Sequence, residues 1–106
     1  MEKSIKDLKV IDIIQMPAFE NHVELLMKDL HKTRIMIKFK RGPIERLQEK
    51  GVYNPKALAA LYAKILDKDI STSEYPSTLR TFIKCLCDEA FHRTVEQIKI
   101  SEREKL

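Results

Sequence analysis

Apolar residues recur at helical intervals along most of this chain. Ile5, Leu8, Ile11 and Ile14 follow one another three residues apart. Ser4, with Asp7 three residues later, has the form of a capping box in which Asp replaces the usual Glu. The spacing predicts a first helix over 4–15. Val10 and Ile13 are apolar as well, so the run from Leu8 to Ile14 also fits a buried strand. After Pro17, Phe19, Val23, Leu26, Met27 and Leu30 form one stripe, with Glu20, Glu24, Lys28 and Asp29 opposite. That is an amphipathic helix reaching about Leu30.

The stretch 33–40 is ambiguous. Ile35, Ile37 and Phe39 alternate with Arg34, Lys38 and Lys40, broken only by Met36. Alternation is a strand pattern, and a strand needs a partner. The only candidate partner is the Leu8–Ile14 run, so the two ambiguities are coupled: both segments are helical or both are strands. The helical solution is preferred here. The alternative is an α+β fold with a small sheet from residues 8–14 and 34–40.

Downstream the punctuation is clearer. Gly42-Pro43 stops one element, and Ile44, Leu47 and Gln48 suggest a short helix ending at Gly51. Asn54-Pro55 reads as an N-cap followed by a first-turn proline. Leu58, Leu61, Tyr62 and Ile65 then mark an apolar stripe, with Ala57, Ala59, Ala60 and Ala63 around it. A polar connection (Asp67 to Glu74) leads to Pro76-Ser77, where a last helix should begin and run to about Ile98. Its stripe is Leu79, Phe82, Ile83, Leu86 and Ala90, continued by Cys87, Phe91, Val95 and Ile98. At ~1.5 Å per residue such a helix is about 33 Å long, the expected spine of the fold. The expectation is a mainly α, single compact domain over 1–106, with four or five helices around the C-terminal one and a frayed tail at 101–106.

Composition narrows the class. The chain has 106 residues, 43% of them apolar and 34% charged, which is enough apolar surface for one modest core. The residues Met1 to Asp7 carry charges where a signal peptide requires an apolar run, and no run approaches the ~20 residues of a membrane span. The expectation is a soluble, cytoplasmic protein without a membrane partner. Cys85 and Cys87 lie two apart on the predicted last helix and diverge around it, so they read as separate packed thiols.

Catalytic chemistry finds little support. The two glycines, Gly42 and Gly51, are isolated and form no phosphate loop, and no Ser or Cys sits in a nucleophile signature. His22, His31 and His92 show no metal-ligand spacing. Glu89-x-x-His92 occurs once, whereas a helical di-iron site needs two copies and further carboxylates. The expectation is a protein that is not an enzyme and takes no cofactor and no metal.

Charge placement is the sharpest feature. The formal charge is +4 overall. Between His31 and Lys50 seven cations face two acids, a local +5, so the rest of the chain sums to −1. Lys32, Arg34, Lys38, Lys40 and Arg41 follow one another with no intervening acid, and Phe39 lies among them. Such a run attracts a phosphate backbone or an acidic protein face. These five residues are the candidate nucleic-acid contacts. The order of elements over 44–62, with Gly51-Val52 in a turn, has the spacing of a helix-turn-helix, although its second helix offers few polar side chains to base edges. The competing expectation is a protein-interaction or oligomerisation module, a homodimer included, using Ala59, Ala60 and Ala63 and the methionines Met16, Met27 and Met36.

Overall fold

The computed structural model describes residues 8–30 and 42–104. Among them are five helices and no strands: α1 (Val10–Ile14), α2 (Pro17–Lys28), α3 (Gly42–Glu49), α4 (Pro55–Leu66) and α5 (Ser77–Glu104). The mainly α reading holds. The Leu8–Ile14 run contributes α1 and not a strand, so the small-sheet alternative loses the partner it required. The stretch 34–40, strand or helix, lies outside the described residues.

Local chemistry explains most boundaries. α1 starts later than the sequence pattern suggests, at Val10. The backbone N–H of Lys9 donates to Asp12 Oδ2 at 3.0 Å, so Asp12 satisfies one of the amides left over at the helix start. Ser4 and Asp7, the predicted caps, lie outside the described residues. α2 begins with Pro17 in its first turn, where the missing N–H costs nothing. Asn54 caps α4 as anticipated: its Oδ1 accepts from the Ala57 N–H at 2.8 Å.

Two helices end in the same way. Past α3, Gly51 N–H donates to Gln48 C=O at 3.0 Å and Val52 N–H to Leu47 C=O at 3.1 Å. Past α4, Lys68 N–H donates to Ile65 C=O at 3.1 Å and Asp69 N–H to Lys64 C=O at 2.9 Å. Both are Schellman caps, which demand a left-handed residue just beyond the helix. Gly51 (φ 72°) fills that position in the first, and Lys68 (φ 58°) does so in the second, with a Cβ that disfavours it.

α5 is the spine. Its 28 residues span about 42 Å, close to the molecule's 46 Å longest dimension. All four other described helices contact it, α2 and α4 most extensively. The buried stripe is Leu79, Phe82, Ile83, Leu86, Cys87, Ala90 and Thr94. Against it pack Phe19, Val23 and Leu26 of α2, Leu58, Leu61 and Tyr62 of α4, Leu47 of α3 and Ile14 of α1. Each fully buried Leu, Ile or Phe contributes on the order of 1.5–3 kcal/mol relative to exposure.

Here the sequence pattern needs correction. Phe91, Val95 and Ile98 are only half-buried, while the stripe passes instead through Thr94. That threonine is tolerated inside because its Oγ1 donates to Ala90 C=O at 2.7 Å within the same helix. The helix also continues past Ile98 to Glu104, so Ser101 to Glu104 of the expected tail are helical. Neither Gly nor Pro interrupts this stretch, and Lys99 pairs with Glu96 at 3.7 Å one turn back.

The two caps make a paired prediction. No atom lies within 4 Å of a Cβ added at Gly51, so Gly51→Ala is expected to cost about 1 kcal/mol through backbone conformation alone. Lys68→Gly should stabilise by ~0.5–1 kcal/mol for the converse reason. Urea denaturation measures both. A Gly51→Ala protein as stable as the parent, or a Lys68→Gly protein less stable than it, would contradict the left-handed caps.

Candidate nucleic-acid interface

The five predicted contacts, Lys32, Arg34, Lys38, Lys40 and Arg41, all lie outside the described residues, as do His31, Met36 and Phe39. What is described is the frame on either side. Leu30, after α2, is 4% exposed, and Pro43 and Leu47 of α3 are buried. Core-anchored residues therefore stand on either side of the basic run in the sequence.

The described residues carry twelve Lys and Arg against fourteen Asp and Glu, a net of −2. The chain's positive excess thus belongs to segments outside them, and Lys32 to Arg41 supply five of those cations without an acid.

The remaining cations of the basic region sit on or just after α3. Arg46 and Lys50 are exposed and interleaved with Glu45 and Glu49. Together with Ser73, Glu74, Pro76 and Leu79, the residues Arg46, Glu49 and Lys50 line an open groove of about 390 Å³. The Lys50 ammonium stands 5.1 Å from the centre of the Tyr75 ring, a cation–π contact that ties the end of α3 to the loop before α5. Two carboxylates in the same groove offset its two cations, so its field is mixed.

The helix-turn-helix order is present as α3, a five-residue turn and α4. α3, however, packs chiefly on α5. On α4 the apolar side faces the core through Leu58, Ala59, Leu61 and Tyr62, and Lys56, Ala60 and Lys64 are exposed. The alanines expected to form one association face are therefore divided. Ala59 is 5% exposed in the core, Ala60 points outward, and Ala63 lies between.

An apolar feature unseen in the sequence lies beside Ala63. Val10, Ile11 and Ile14 of α1 and Ala63, Leu66 and Asp67 at the end of α4 line a groove of about 260 Å³. Val10, Ile11 and Leu66 are 48%, 42% and 39% exposed, so this is uncovered apolar surface. The signal for it was the excess of apolar residues in 10–14, more than a short helix can turn inward. Met16 and Met27 are half-buried, and Met27 packs against the core.

The reactive groups are held in structural roles. Cys85 and Cys87 are unpaired thiols. Cys87 is fully buried, its Sγ lies 3.8 Å from Leu58 C=O, and burial raises its pKa well above the ordinary thiol value, with the Asp88 charge adding to the effect. Such a thiol is a poor nucleophile. Glu89 is engaged by Arg93 at 3.1 Å and not by His92, which is exposed. Among the described residues no group of three or more His, Cys, Asp or Glu side chains is placed to hold a metal ion. No described helix is long and apolar enough to cross a membrane.

The chain matches no protein-family model, no curated protein and no solved structure.

One polar pair at the edge of the core has a measurable consequence. Tyr62 stacks on Phe19 with ring centroids 6.0 Å apart, and its hydroxyl donates to Asp88 Oδ1 at 2.5 Å. Burial, then the hydrogen bond to Asp88 and that carboxylate's charge, raise the Tyr62 pKa far above its ordinary 10.0. Tyr62 and Cys87 both keep their protons more tightly folded than unfolded, so their contribution is whole below pH ~8, under the ordinary Cys and Tyr values, and is lost as pH rises further. The contribution of these two groups should therefore be constant from pH 7 to about 8, decline above that, and fall most steeply above about pH 9.5. Tyr62→Phe should cost about 1–2 kcal/mol at pH 7 and flatten the alkaline limb. Denaturant midpoints across pH read this out. An alkaline limb unchanged in Tyr62→Phe would refute the assignment.

Proposed function

We propose that this is a small non-catalytic binding protein that engages nucleic acid through Lys32, Arg34, Lys38, Lys40 and Arg41, in an associated or regulatory role. The observation that carries this reading is the segregation of charge. Five cations without an acid follow one another in a segment bounded by core-anchored residues, and the described body is net negative. A net-negative body is repelled by a polyanion at long range, so most of the attraction falls to the basic segment. An acidic protein face would be drawn to the same segment, and a cytoplasmic setting suits the two unpaired thiols.

Each phosphate neutralised on duplex DNA steepens the log–log salt dependence of binding by about 0.9. Titration of a labelled duplex at several salt concentrations should accordingly give a slope of about −4.5 or steeper. Replacing Lys38, Lys40 and Arg41 together by Gln should make it shallower by about 2.7. No binding, or a slope the triple variant leaves unchanged, would remove nucleic acid from the reading.

A second reading, a protein-interaction or homodimerisation module, is favoured by the uncovered groove between α1 and α4. Light scattering across protein concentration should then show a mass above the monomer that Ile11→Asp abolishes. A monomer at every concentration would count against self-association.

A further inference from the structure

We propose that the outer face of α4 is a second contact surface for the same polyanion, laid against the backbone of duplex DNA without reading its sequence. The inference rests on the nucleic-acid reading above. Among the described helices, α4 is the one without a carboxylate: α1 has Asp12, α2 Glu20 and Glu24, α3 Glu45 and Glu49, and α5 several. In a body that is net negative, a helix with purely cationic charge stands out.

The geometry of that charge is regular. Lys56, Ala60 and Lys64 are spaced four apart, so they form a line on the exposed side, opposite buried Leu58 and Tyr62. Among the described residues neither lysine is ion-paired, whereas Lys28, Arg93 and Lys99 each hold a carboxylate on their own helix. Asp67, the exposed C-cap residue three past Lys64, lies on the same side and also borders the groove against α1, so the cationic line ends at a carboxylate. Eight residues of helix place the Lys56 and Lys64 backbones about 12 Å apart, which matches the ~12 Å width of the B-form major groove. A helix set across the groove would thus bring one ammonium to each phosphate rail. Ala60 between them keeps the helix surface low enough for close approach.

The same face predicts what α4 does not do. It carries no Arg, Asn or Gln to pair with base edges. The Asn54 carbonyl oxygen is already taken by the Ala57 amide. Contact through two ammonium groups is a phosphate contact, which positions the protein and carries no sequence information.

The test is Lys56→Gln/Lys64→Gln, with Lys9→Gln/Lys84→Gln as a control of equal charge change at exposed sites on α5 and before α1. All four positions are exposed, and circular dichroism and urea midpoints verify that both variants fold. Binding is measured on two duplexes of unrelated sequence, a single strand and an RNA duplex. The α4 variant should lose about 1.8 from the salt slope on both DNA duplexes alike, and the control should lose none. The parent should bind the two DNA duplexes within about threefold of each other and the RNA duplex, whose major groove is too narrow, less tightly. A slope unchanged in the α4 variant while the 38/40/41 variant shows its loss would overturn this surface and leave the basic segment standing. Equal losses in variant and control would overturn it too, as a general charge effect. Failure of the parent to bind duplex DNA at all would overturn both readings.

Discussion

A helix of 28 residues has one long side to hide, and this protein is organised around hiding it. From Leu79 to Thr94 the inward stripe of α5 is sealed, and each of the other described helices lies against it. Three helices meet along this stripe. There Tyr62 of α4 stacks on Phe19 of α2 and donates to Asp88 of α5, and Cys87 packs against the Leu58 carbonyl of α4. Aromatic area, a charge-assisted hydrogen bond and a buried thiol coincide at one point. A change at Tyr62 or Phe19 is therefore felt by all three helices at once.

The surface follows from that arrangement. Because α4 turns Leu58, Leu61 and Tyr62 inward, Lys56, Ala60 and Lys64 are left outward. α1, only five residues long, cannot turn all of Val10, Ile11, Ile13 and Ile14 inward, and Val10 and Ile11 remain uncovered beside Leu66. In the sequence the basic run lies between Leu30 and Pro43, both held by the core. Three surfaces of different chemistry thus border one core: cationic, apolar and, in the groove between α3 and the loop before α5, mixed.

Much of this was legible from the chain, because helix signals are local. Asn54-Pro55 marked the start of α4, and Gly51 marked the end of α3. The Leu79–Ala90 spacing marked the face α5 buries. The cationic run at 32–41 needed only counting. What resisted was anything set by competition between neighbours. Phe91 looked like core and Thr94 did not, yet the covering helices lie over Thr94, and an intrahelical hydrogen bond makes the threonine acceptable there. The start of α1 was misplaced because the side chain that caps it, Asp12, lies inside the helix and not before it.

The sequence by itself determined that the fold is helical, where most helices begin, and where positive charge is concentrated. Those properties depend on periodicity, capping and composition, which act over a few residues. Tertiary structure alone decided which faces stay open. It split the α4 alanines between core and solvent and left Val10, Ile11 and Leu66 around one groove. It also enclosed Cys87 and Tyr62 so that both hold their protons. Exposure and burial are relations between segments far apart in the chain, and they exist only once α5 has been covered.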